Sequence, residues 1–104
     1  LIADSKIDYI ITSNRESGIG SYDVVMEPND RRKDAFVFEI KVKEQEAEDT
    51  LEDTLKSALS QIEDKNYDAV LTARGIPKER IRHYGFAFEG KRVLIGSSDV
   101  PHHR

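Results

Sequence analysis

The chain contains no cysteine, so it can form neither a disulfide nor a thiolate metal site. Long apolar runs are also missing: stretches such as Val93-Leu94-Ile95 fall far short of the roughly 20 residues that a membrane-spanning helix needs. No basic-then-apolar signal segment stands at its start. Internal repeats and low-complexity tracts are absent as well. These absences lead us to expect a soluble, cytoplasmic protein with no membrane partner. What is present is ordinary in amount, with 104 residues, 38% of them hydrophobic and 35% charged. That length suits one domain, expected over residues 1–96 with a flexible tail at 97–104.

The net charge of −4 conceals three blocks. Residues 1–43 hold eight acids and seven bases, 44–64 eight acids and one base, and 65–104 four acids and eight bases. The middle block reads as the solvated face of a helix and would repel a nucleic-acid backbone. The basic groups Arg31, Arg32 and Lys33, and further on Arg74, Lys78, Arg80, Arg82, Lys91 and Arg92, are candidates for phosphate contact. Ordinary surface charge explains them equally well.

Apolar residues of period two predict strands at Tyr9–Thr12, Tyr22–Glu27 and Ala35–Lys43. In the third, Phe36, Phe38, Ile40 and Val42 share one face, and Val37, Glu39, Lys41 and Lys43 the other. The polar segment Pro28–Asp34 predicts a hairpin joining the second and third strands. From about residue 47 to 66, Leu51, Leu55, Ala58, Leu59 and Ile62 form a helical stripe, with Thr50 and Asp53 as a candidate cap. Tyr67–Ala73 then reads as a fourth strand, Gly75–Arg80 as a turn, and His83–Phe88 with Arg92–Ile95 as a hairpin around Glu89-Gly90-Lys91. The expected fold class is α/β, a mixed β-sheet flanked by helices in the order βββ-α-β-ββ.

Asp23 and Glu39 are equidistant from Arg31, the centre of the first hairpin loop. A hairpin symmetric about that residue places them directly opposite, with Cβ atoms about 4.5–5.5 Å apart. Opposed like charges require a compensating cation. Lys41, on the same face as Glu39, could supply it. A divalent metal would do so better, since paired carboxylates are ligands that magnesium or manganese accepts. Lys41 could then orient or help deprotonate an attacking water and stabilise charge on a phosphorane. The alternative is a solvent-facing hairpin with alternating charges.

These residues resemble a known family. Asp23, then Glu39-Ile40-Lys41, then a helix carrying Gln61, is similar to the D…E-x-K…Q pattern of the PD-(D/E)xK nuclease superfamily. The closer resemblance is to a bacterial branch, often C-terminal to an AAA-ATPase-like module. It rests on Ser13-Asn14-Arg15-Glu16-Ser17-Gly18-Ile19-Gly20-Ser21-Tyr22-Asp23, a Q-I helix ending near Lys65-Asn66-Tyr67, and Tyr84-Gly85-Phe86-Ala87-Phe88, and runs from about residue 9 to 96. The resemblance implies a restriction-endonuclease-like fold and a magnesium-dependent hydrolase, with manganese as an alternative ion, cleaving phosphodiester bonds in DNA. It makes Asp23 and Glu39 metal ligands, Lys41 the catalytic lysine, and Gln61 an assisting residue on the adjacent helix, where its spacing puts it about 60° outside the apolar stripe. It also implies an ATPase-like module in the same protein, and a homo-oligomer is compatible with it.

Three departures from that pattern stand out. Tyr22 replaces the proline before the acid, Ser21 stands where relatives often have a base, and the superfamily's first helix is apparently missing. Asp4 and Asp8 match no motif that would replace an acid from that helix. A second reading is therefore a catalytically inactive nuclease-fold domain acting as an interaction or regulatory module beside an ATPase domain. Other signals are set aside. Gly18-Ile19-Gly20 reads as a turn and Ser13–Glu16 as a tight turn with Arg15 and Glu16 paired. His83 is expected to be packed or on the surface, and His102-His103 to be incidental.

Overall fold

The structure, a computed structural model, describes residues 8–15, 20–43 and 50–97. They form a five-stranded sheet with spatial order β1-β2-β3-β4-β5. The strands are β1 (Tyr9–Arg15), β2 (Ser21–Pro28), β3 (Ala35–Val42), β4 (Ile81–Glu89) and β5 (Arg92–Ser97). Helices α1 (Leu51–Lys65) and α2 (Tyr67–Ala73) lie between β3 and β4 in the chain. Neighbouring strands run antiparallel except β3 and β4, which are parallel and therefore need the helical crossover between them. This is the mixed α/β sheet with flanking helices expected of a restriction-endonuclease-like domain, in the order βββ-αα-ββ, with a second helix where a fourth strand was expected.

The first hairpin has the expected register, with Asp23 opposite Glu39 and Val25 opposite Val37. Its buried face carries Ala35, Val37 and Glu39, all at 0% exposure, although the opposite face is richer in large apolar residues. On that opposite face Phe36, Phe38, Tyr84 and Phe86 form a ladder with ring centroids 5.8–6.5 Å apart. The ladder is half-buried, while Ile11, Val42, Val93 and Ile95 beside it are exposed.

Helix α1 begins where its cap dictates. The Thr50 hydroxyl accepts from Asp53 N–H and the Asp53 carboxylate accepts from Thr50 N–H, a reciprocal capping box. The helix thus starts at Leu51, four residues after the expected 47. Leu51, Ala58 and Ile62 of its stripe are buried, and Glu52, Asp53, Glu63 and Asp64 face solvent. Asn66 closes α1 with φ 51°, a left-handed conformation that asparagine tolerates, and the chain turns directly into α2.

The predicted strand at Tyr67–Ala73 is instead α2. Seven residues of mixed polarity satisfy both periods, and tertiary contact decides between them. Tyr67 and Leu71, four apart, both turn toward the core, whereas Val70 is half exposed, the pattern of a helix. The helix ends in a Schellman motif: Gly75 (φ 97°) N–H donates to Thr72 C=O and Ile76 N–H to Leu71 C=O. Leu71 and Ile76, the two apolar members of that motif, sit in the main core with Ala35, Val37, Ile62 and Ile81.

Two smaller corrections concern strand ends. Ser13, Asn14 and Arg15 continue β1 opposite Val24, Asp23 and Tyr22 rather than forming a tight turn, because β2 is there to pair them. Arg15 stacks over the Tyr22 ring at 5.6 Å. Ser97, expected to open the tail, pairs with Tyr84 at the end of β5. Asp4 and the expected missing helix, Glu16, the Gly18-Ile19 step, the acids at 44–49 and the tail with His102-His103 lie outside the described residues.

Candidate active site

One register row crosses the whole sheet: Asn14, Asp23, Glu39, Gly85 and Gly96 stand side by side on β1 to β5. Its carboxylates occupy β2 and β3, and its glycines occupy β4 and β5. A Cβ at Gly85 would lie 3.0 Å from Leu59 Cδ2, and one at Gly96 would lie 2.9 Å from Leu55 Cδ2. The glycines therefore let α1 settle close onto the sheet, and its C-terminal turns meet the carboxylates. In the next row on the same face, Ser21 stands opposite Lys41.

Of the residues expected to form the site, Asp23 and Glu39 stand opposite each other, Lys41 lies near enough to act on the Glu39 charge, and Gln61 is half-buried on α1. Asp23 is 1% exposed and Glu39 is fully buried. Three buried side-chain oxygens lack a hydrogen-bond partner among the described residues: Asp23 Oδ1, Glu39 Oε1 and Gln61 Oε1. The other oxygen of each acid is held. Asp23 Oδ2 accepts from Tyr67 Oη at 2.9 Å and from Lys65 Nζ at 2.7 Å. Glu39 Oε2 accepts from Ser21 Oγ at 3.1 Å, and Lys65 Nζ lies 3.7 Å from Glu39 Oε1.

Electrostatics follow from that burial. Removal from water is the largest influence on Glu39 and raises its pKa from 4.5 to about 7. The Asp23 charge adds to the rise, while the Ser21 hydroxyl and the nearby Lys41 oppose it. Burial and the hydrogen bond to Asp23 push the Tyr67 phenol up to about 12, so it remains a neutral donor. Burial lowers the Lys65 pKa from its ordinary value.

A divalent cation fits this donor set. Buried acceptors are normally satisfied, and three unsatisfied oxygens, two from acids and one from an amide, suit a hard oxygen-seeking ion. Among the described residues no group of three His, Cys, Asp or Glu side chains is placed to bind a metal. Lys65 and Tyr67 were missed as site residues in the sequence. The available signal was spacing: Lys65 follows Gln61 by four positions and so shares its edge of the helix. Nothing local announces Tyr67, whose direction depends on the Asn66 corner.

Of the candidate phosphate-binding residues, Arg31, Arg32, Lys33, Arg74 and Arg82 lie near the β2–β3 hairpin tip, whereas Lys91 and Arg92 lie at the β4–β5 turn, the opposite end of the sheet. Ala35 at the hairpin end is four residues from Glu39, roughly 13 Å along a strand. Arg31 and Arg74 both pair with the buried Glu27, at 3.1 and 2.6 Å. Arg32 pairs with Asp30 at 3.0 Å and Arg82 with Asp34 at 3.2 Å, while Arg80 bonds to Arg32 C=O. Lys33 is exposed. His83 is half-buried and bonds Asp68 at 2.8 Å, tying β4 to α2.

The profile of the PD-(D/E)XK nuclease superfamily matches residues 3–98, nearly the whole chain. The chain belongs to that superfamily. Its members generally use divalent metal ions and bind nucleic acid. No curated protein and no solved structure matches the chain. No described helix is long and apolar enough to cross a membrane.

Proposed function

We propose that this domain is a metal-dependent nuclease that hydrolyses phosphodiester bonds in DNA. The observation that carries the reading is the trio of orphaned buried oxygens on Asp23, Glu39 and Gln61. Asp23 and Glu39 would hold magnesium or manganese, with the Gln61 amide oxygen beside them. When bound, the ion would polarise a phosphoryl oxygen and acidify a coordinated water. Tyr67 donates to Asp23 Oδ2 and Ser21 to Glu39 Oε2, bonds that orient the two carboxylates. Glu39 must give up its proton to act as a ligand, which its pKa of about 7 permits near neutrality. Lys41, two residues along β3 on the same face, would orient the attacking water and stabilise negative charge on the phosphorane. Arg32 and Lys33 at the hairpin tip, with Arg31, Arg74 and Arg82, would contact the DNA backbone. The proposed setting is the bacterial cytoplasm, with an ATPase-like module in the same protein.

A second reading, a non-catalytic interaction module on this fold, is favoured by the Lys65 ammonium at the carboxylates, which neutralises charge without a metal. Calorimetric titration with Mg2+ and Mn2+, on the parent, Asp23→Ala and Glu39→Ala, separates the two. Binding in the parent and its loss in both variants is the expected result. A parent that binds neither ion overturns the nuclease reading.

A further inference from the structure

Lys65 does not fit a passive role. It is the last residue of α1, and its ammonium lies 2.7 Å from Asp23 Oδ2 and 3.7 Å from Glu39 Oε1. The acids it reaches are almost wholly buried, at 2% and 0% side-chain exposure, whereas its own side chain is 23% exposed. Two carboxylates facing each other across neighbouring strands repel, and burial amplifies the repulsion. The ammonium at this spot offsets it. Its contacts with the two acids are unequal, however: it hydrogen-bonds Asp23 but only ion-pairs with Glu39, whose Oε1 receives no hydrogen bond. The site is thus partly neutralised, with Asp23 Oδ1 and Glu39 Oε1 still without hydrogen bonds.

We propose that Lys65 is the resident counter-cation of the Asp23–Glu39 site, and that a divalent metal enters by exchanging with its ammonium. The proposal rests on the metal-site reading above. Geometry supports it: the ammonium is 2.7 Å from one acid and 3.7 Å from the other, the spot from which a dication would compensate both more fully. Lysine suits exchange better than arginine, because a flexible stem carries a compact charge that returns to water by rotating about its own bonds. Partial exposure at the helix end provides the way out. Tyr67 keeps its 2.9 Å bond to Asp23 Oδ2 when the ammonium leaves, so the carboxylate stays oriented through the exchange. Tyr67 is thereby a positioning residue and Lys65 the exchanging one. The consequence is a metal affinity set below that of a bare two-carboxylate site, in return for a metal-free protein that does not carry two uncompensated buried charges.

The test uses Lys65→Met, which keeps the aliphatic stem, at pH 8. Thermal unfolding in EDTA and calorimetric titration with Mn2+ are measured on parent and variant. The expected melting temperature of the metal-free variant is lower by about 5–10 °C, and this loss largely disappears in an Asp23→Asn background. Mn2+ is expected to bind the variant at least about tenfold tighter, the direction that follows from removing a competing charge. Metal binding to the variant but not to the parent overturns the exchange, because the ammonium then blocks the site, and the nuclease reading falls with it. A variant that binds Mn2+ no tighter than a metal-binding parent overturns the exchange and leaves the metal site standing. Failure of both proteins to bind overturns the metal site and the exchange together. Lys65→Gln replaces Lys65→Met if the latter does not fold.

Discussion

Glu39 should govern how this protein responds to pH. Its carboxyl is fully buried, and burial, with the Asp23 charge in support, raises its pKa from 4.5 to about 7. Between those values the native protein keeps a proton that the unfolded chain gives up. The metal-free fold is therefore most favoured by this group below about pH 4.5, and that contribution is lost as pH rises through about 7. The full difference corresponds to about 3 kcal/mol, of which about 2–3 kcal/mol falls between pH 5 and pH 8. Glu39→Gln removes the titrating group. In EDTA, urea unfolding of the parent should lose stability across that range by about 2–3 kcal/mol more than the variant does. Saturating Mg2+ should reverse the trend in the parent, because the ion binds the ionised carboxylate. Its stabilising effect should grow from pH 5 to about 7 and then level off. Parallel stability profiles for parent and Glu39→Gln in EDTA would refute the reasoning, since they would mean that Glu39 is ionised in both states.

Lys41→Ala should leave Mn2+ affinity near the parent value and reduce cleavage of plasmid DNA by about 10²-fold or more, as loss of a charge-stabilising donor does. Equal cleavage by the variant would remove Lys41 from the reaction. Gly85→Ala should destabilise by about 1–3 kcal/mol in urea unfolding, because the new methyl meets Leu59 Cδ2 at 3.0 Å and Leu55 Cδ1 at 3.2 Å. An unchanged midpoint would show that α1 can lift off the sheet freely. Replacing Arg32 and Lys33 together by alanine should weaken DNA binding and flatten the dependence of log K on log salt by about 2, one phosphate for each base. An unaltered slope in a filter-binding titration would place the DNA elsewhere.

The parts of this molecule that were legible in advance depend on neighbours in the chain. The opposition of Asp23 and Glu39 followed from a hairpin symmetric about Arg31, because strand pairing across a short loop leaves little freedom in register. The start of α1 was nearly readable, since Thr50 and Asp53 satisfy each other within a single turn. Tyr67–Ala73 was misread because seven residues carry too few repeats to separate period two from period 3.6. What settles them as a helix is the burial of Leu71 and Ile76 against β3 and β4. The choice of buried sheet face was equally hidden. The face with Phe36, Phe38 and Ile40 is the more apolar, yet the helices cover the face that bears Glu39.

The candidate site divides along the same line. Asp23, Glu39, Lys41 and Gln61 could be named from residue type, spacing and a family pattern, all of which are properties of the linear chain. Lys65 and Tyr67 reach Asp23 across 42 and 44 residues. Those contacts exist because Gly85 and Gly96 admit α1 close to the sheet and Asn66 turns the chain at its end. Periodicity, capping and hairpin register are short-range energies and are written locally. The meeting of an ammonium, a phenol and two carboxylates depends on the rigid placement of a helix over a sheet, which packing alone supplies.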